Sequence, residues 1–131
     1  MNFSFDTEWY NSLKKSPITP PPKFFGIVWG ILYFLIGLSG IIFFLQNGFN
    51  EPIGLTLFFV QLFFNIMWSY VFFGQKNIAG GLLIILVLWA LILLTIVQFY
   101  QTSPVAAFLL IPYFLWVTVA LYLNAYIYVN N

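Results

Sequence analysis

Four uncharged stretches set the pattern of this chain: residues 24–45, 53–73, 78–100 and 105–128. Short polar breaks separate them, "QNGFNEP", "GQKN" and "QTSP", and "VNN" follows the last. A helix crossing a bilayer needs about 20 apolar residues, so each stretch is long enough to span. The runs are too long, and alternate too little, for barrel strands. The pattern predicts an all-α integral membrane bundle of four spans over residues 24–129. Residues 1–23 form a separate interfacial segment and proline-rich loop.

Within the spans, the polar and small positions fall on helical stripes. Gly26, Gly30, Tyr33, Gly37 and Gly40 recur at 4, 3, 4, 3 spacing on the first, a small face that includes a GxxxG. Small residues let helix backbones approach in lipid, where burying apolar surface gains little. Plain packing is the expectation for Gly37 and Gly40. Gln61, Asn65, Trp68 and Phe72 line up on the second span, and Tyr113, Trp116, Ala120 and Asn124 on the fourth, just after Pro112. Amides at mid-membrane depth are costly unless paired, so Gln61 and Asn65 either join helices or meet a ligand. Pro112 lacks a backbone donor and predicts a bend. Trp89, Thr95 and Gln98 on the third span form no coherent stripe and read as packing and interfacial residues.

Composition agrees with lipid as the solvent. The 131 residues are 63% hydrophobic and 5% charged, against about 25% charged in a soluble domain. The net charge of +1 gives no field to recruit nucleic acid, which is set aside as a partner. Lys14, Lys15 and Lys23 precede the first span and Lys76 lies between the second and third, so four spans put every lysine on one side, with both termini. The opposite side carries only Glu51. The positive-inside rule then makes both termini cytoplasmic.

At the start of the chain, Phe5, Trp9 and Leu13 make an apolar stripe, with Asp6 and Glu8 before Lys14 and Lys15 as a helix dipole prefers. Pro17 stops it, and "TPPPK" is a stiff link into the first span. A surface anchor and a lid both fit this segment. Cysteine and histidine are absent, which removes disulfides, thiolate chemistry, most zinc sites and the usual haem ligands; neither a metal site nor a required cofactor is expected. Trp29, Trp68 and Trp116 sit on three different spans, each beside small or polar neighbours. Together they predict an aromatic pocket opening toward the lysine side beneath residues 9–22. Such a pocket suits a flat apolar ligand with a polar rim, a porphyrin with propionates or a sterol, with lysines at the mouth for carboxylates.

The blocks "WYNSL", "TPP", "FGIVWGILY", "QLFFNIMWSYVFFGQKN" and "LLIPYFLWVTVALYLN" resemble the TspO/translocator protein family (peripheral-type benzodiazepine receptor) in order and spacing, from Trp9 to about Asn124. The resemblance implies an integral protein of a bacterial inner membrane that binds protoporphyrin-type tetrapyrroles, sterols or synthetic aromatic ligands, with a homodimer as the family expectation. Leu57 and Phe64 of the second span are its plausible seam. By motif position the pocket tryptophans fall on Trp29 and Trp116, which would also carry any light- and oxygen-dependent porphyrin degradation. The pocket asparagine falls on Asn65, the loop tyrosine on Tyr10, the loop prolines on Pro20 and Pro21, and the small last-helix residue on Ala120.

Tyr33, Trp68 and Tyr113 complete the expected lining, and Lys14, Lys15 or Lys23 would pair with propionates. Three departures accompany the resemblance. The family has five spans where this chain shows four, so the first family helix is missing, by truncation or as a genuine four-helix variant. The first-loop lysine-proline-aromatic is "KSPITPP" here. No cation follows Lys76 to complete a C-terminal sterol motif, which argues against sterol transport. A sterol or lipid carrier and a ligand-free accessory protein are the rival readings.

Overall fold

The computed structural model describes residues 22–130. Its helices are α1 (Pro22–Asn47), α2 (Pro52–Ser69, continued by a π-helical turn at Tyr70–Gly74), α3 (Ile78–Tyr100), α4 (Pro104–Leu109) and α5 (Ile111–Asn130). Four helical stretches are long and apolar enough to cross a membrane: Gly26–Asn47, Pro52–Gly74, Ile78–Tyr100 and Pro104–Asn130. An all-α membrane bundle is what the pattern predicts, and the span limits agree within a few residues.

Local chemistry sets the helix ends. Gly48, at φ +56°, terminates α1 by donating its amide to the Phe44 carbonyl at 2.7 Å, a left-handed cap that glycine adopts without a Cβ penalty. Pro52 and Pro104 open α2 and α4, where a missing N–H costs nothing. Asn77 caps α3 by accepting the Gly80 amide at 2.8 Å. The bend expected at Pro112 is realised two residues earlier, as a break at Leu110 between α4 and α5. Proline offers no amide to the carbonyl of Phe108, and the Leu110 amide turns back to Ala107 and Phe108. The π-helical turn has no counterpart in the sequence reading. There the Gln75 amide reaches the Tyr70 carbonyl, and the left-handed Lys76 follows.

The third span is the centre of the bundle. α3 packs along α2 on one side and along α5 and α4 on the other, and α1 packs on α4 and α5. The backbones of α1 and α2, consecutive in the chain, do not run close together. Side chains bridge them instead. A Cβ on Gly40 would lie 2.6 Å from the Phe58 ring, and one on Gly54 2.6 Å from the Phe43 ring. Phe43 stacks on Phe99 of α3 at 3.9 Å and 6°, and Phe58 lies 5.9 Å from the same ring.

The small-residue face of α1 therefore divides. Gly40 packs as expected, whereas added Cβ atoms at Gly26, Gly30 and Gly37 would meet nothing within 4 Å. For Gly37 the packing expectation is corrected. The reason is the separation of α1 from α2, which leaves this flank of the helix uncovered among the described residues.

Candidate functional site

The three tryptophans converge. Trp29 of α1 lies 6.3 Å from Trp68 of α2 and 6.4 Å from Trp116 of α5, the latter edge-to-face at 84°. Tyr33, one turn after Trp29, is 5.7 Å from it, and Phe24 is 6.3 Å from Trp116. Trp29 and Trp116 are half-buried, while Trp68 is enclosed. The cluster sits near the start of α1 and the end of α2, toward the face that carries Lys76. Trp29 pairs with both of the other indoles. A void of about 20 Å³ remains beside Trp68, against Ala120, Asn124 and Phe72.

Two hydrogen-bonded chains hold the aromatic cluster. In the first, the Tyr33 hydroxyl donates to Asn65 Oδ1, Asn65 Nδ2 donates to the Tyr113 hydroxyl at 2.8 Å, and that hydroxyl donates to Gln61 Oε1 at 2.7 Å. Three helices are thereby joined through four side chains. Three of these, Asn65, Gln61 and Tyr113, are at most 1% exposed, which is how the mid-membrane amides meet their desolvation cost. The chain ends on Gln61 Nε2, which is buried without a partner among the described residues.

In the second chain, Trp68 Nε1 donates to Asn124 Oδ1 at 2.9 Å and Asn124 Nδ2 donates to the Ile78 carbonyl at 3.2 Å. The bonds tie α2, α5 and the start of α3. They also fix the orientation of the Trp68 indole at the back of the cluster.

Of the residues predicted to form the site, Trp29, Tyr33, Asn65, Trp68, Tyr113, Trp116 and Ala120 are brought together by the bundle. Asn65 reaches the cluster through the two tyrosines rather than at its surface. Tyr10, Lys14, Lys15, Pro20 and Pro21 lie outside the described residues, as does the side chain of Lys23. Gln61 and Asn124 were visible as stripe members but not as parts of the site. Their membership follows from which partner each amide finds, and helical spacing does not encode that. Trp89, read as a packing residue, donates from Nε1 to Thr118 Oγ1 at 2.9 Å and joins α3 to α5 on the lipid-facing side. Thr95 is likewise internal, bonding the Leu91 carbonyl of its own helix.

A second cavity, of about 460 Å³, lies at the opposite end of the bundle between α1 and α2. Tyr33 is the one predicted site residue on its wall, and the rest is apolar.

Comparison with known proteins places this architecture. The model of the TspO/MBR family matches residues 2–129. A tryptophan-rich protein TspO from Archaeoglobus fulgidus is 43% identical over 124 residues, covering 94% of this chain and 80% of the relative. A tryptophan-rich sensory protein from Cereibacter sphaeroides is 36% identical, covering 89% of this chain and 73% of the relative. The human translocator protein is 34% identical over 126 residues, covering 94% and 75%.

Proposed function

Because this chain belongs to the TspO/MBR family of integral membrane proteins, we propose that it binds a protoporphyrin-type tetrapyrrole on the Trp29–Trp68–Trp116 cluster. The ligand would be held for sensing, for sequestration or for tryptophan-dependent photo-oxidative removal. One observation carries the reading. Three indoles from sequence positions far apart are gathered, with Trp29 within 6.4 Å of both others, and a separate polar network fixes the deepest of them.

Indole faces stack on flat π-systems, and such contacts contribute about 0.5–1.5 kcal/mol each beyond the area they bury. In this reading the half-buried Trp29 and Trp116 carry the macrocycle, and Trp68 is the fixed backing. Asn65 ties the hydroxyls of Tyr33 and Tyr113 together behind the indoles, which makes it a positioning residue. Lys14, Lys15 and Lys23 pair with propionates at the rim, while Tyr10, Pro20 and Pro21 cover the ring. The same reading sets the lysine-bearing face and both ends of the chain in the cytoplasm.

The test is titration of the purified protein with protoporphyrin, following tryptophan fluorescence, in wild type and in a Trp29→Phe/Trp116→Phe double variant. Saturable quenching is expected in the wild type, with weaker affinity in the variant, because phenyl rings cover less of the macrocycle than indoles do. Illumination of the same samples in air should bleach bound porphyrin only where both indoles are present. Equal binding by the two proteins would refute the assignment of the site. Binding without wild-type-specific bleaching would leave a binder and remove the oxidative role.

A further inference from the structure

The π-helical turn at Tyr70–Gly74 ends the second span with a geometry that neither span length nor hydropathy requires. The Gln75 amide reaches five residues back, to the Tyr70 carbonyl at 2.9 Å, where an α-turn would reach four. Such turns are rare and frequently stand at functional sites.

The rings show what the wider turn places. Phe72 and Phe73 are neighbours in the chain, yet both meet Trp68. Phe72 lies nearly parallel to it at 5.5 Å and 23°, and Phe73 stands edge-on at 5.8 Å and 77°. The two phenyl rings also meet each other at 4.7 Å and 81°, so the three rings close a triangle. In an α-helix, a side chain four positions on lies about 40° around the axis from the first, and one five positions on about 140°. A regular helix would therefore keep Phe72 beside Trp68 and turn Phe73 away. The extra residue in the turn brings Phe73 back.

The triangle is anchored on two sides. A Cβ on Gly81 would lie 3.1 Å from Phe72 Cδ2, so the Phe72 ring seats directly on the α3 backbone. Trp68 is held at Nε1 by Asn124. One hydrogen bond fixes a single point of an indole and leaves its plane free to tilt. The edge of Phe73 is a second constraint on that plane. Trp68 faces Trp29 at 6.3 Å and 35°, so a tilt of Trp68 changes what supports Trp29.

We propose that Phe73, delivered by the π-turn, is a positioning residue of the tryptophan cluster: it holds the plane of Trp68 and, through it, the stacking surface at Trp29. Its effect on a ligand rests on the tetrapyrrole reading above, whereas its effect on Trp68 does not.

Near-ultraviolet circular dichroism and protoporphyrin titration of the full chain in detergent test it. Phe73→Leu and Phe73→Ile remove the ring and keep an apolar side chain, and Phe73→Tyr keeps the ring. The part of the wild-type indole signal that Trp68→Phe abolishes belongs to Trp68. Both ring-less variants should lose that part while far-ultraviolet helicity is kept, and Phe73→Tyr should retain it. On the Trp68→Phe background, Phe73→Leu should change the indole signal no further. Protoporphyrin affinity should fall about two- to tenfold in the ring-less variants, the equivalent of one lost edge-to-face pair, and stay at the wild-type level in Phe73→Tyr.

A Trp68 signal unchanged in both ring-less variants would overturn the proposal, whether or not the protein binds protoporphyrin. A lost signal with unchanged affinity would confine Phe73 to the fold and overturn its place in the site. Failure of the wild type to bind protoporphyrin, with the Trp68 signal still lost in the variants, would sink the tetrapyrrole reading and uphold the positioning of Trp68.

Discussion

Asn124→Leu probes the polar framework behind the tryptophan cluster most directly. Leucine is similar in size and keeps the helix, so the change removes hydrogen bonding with little loss of volume. In the native protein the Asn124 amide accepts from Trp68 Nε1 at 2.9 Å and donates to the Ile78 carbonyl at 3.2 Å. Ile78 is the first residue of α3, so its carbonyl keeps an intrahelical partner one turn on. The Trp68 indole has no such substitute, since Trp68 is only 5% exposed.

Leaving a buried donor unpaired costs about 1–3 kcal/mol. Side-chain hydrogen bonds between membrane helices average about 0.6 kcal/mol and reach about 1.7 kcal/mol. The expected destabilisation is therefore about 1–3 kcal/mol, of which about 0.6–1.7 kcal/mol should be coupling to Trp68. Reversible unfolding in mixed detergent micelles, followed by helicity, measures the first quantity. A double-mutant cycle with Trp68→Phe measures the second. Additivity of the two substitutions within about 0.3–0.5 kcal/mol would refute the reasoning, because it would mean that the indole and the amide do not share a bond that matters.

Other expectations follow from the same geometry. Gly40→Ala should destabilise the bundle by about 1–3 kcal/mol through overpacking against Phe58, whereas Gly37→Ala should be neutral or slightly stabilising; the same unfolding assay compares them. Asn65→Leu should cost more than Gln61→Leu, because Asn65 serves two tyrosines while Gln61 accepts one bond and buries an unpaired donor. If the two cost the same, the order of the chain from Tyr33 to Gln61 is wrong. Asn65→Leu should also weaken protoporphyrin binding in the fluorescence titration although the indoles are untouched; unchanged affinity would remove Asn65 from the site.

Much was legible in the sequence because lipid imposes a simple code. Long uncharged runs must be helices, so the four spans and their limits could be read from the polar breaks. The stripe Gln61, Asn65, Trp68, Phe72 could be read from helical spacing, and all four residues are buried as a stripe toward protein requires. The polar breaks also hold caps that the structure shows, Gly48 at the end of α1 and Asn77 before α3.

What only the tertiary structure decided is how the stripes face one another. A helix repeats its faces every 3.6 residues but carries no record of its neighbour or of its distance from it. Separation of α1 from α2 thus left Gly37 over open space and hollowed the apolar cleft beside it, although Gly40, three residues on, is pressed against Phe58. Likewise the spacing put amides inside the bundle, and only the packing of α5 gave Asn65 to Tyr113 and Asn124 to Trp68. Periodicity fixes which side of each helix is turned inward, and the interhelical distances determine what that side meets.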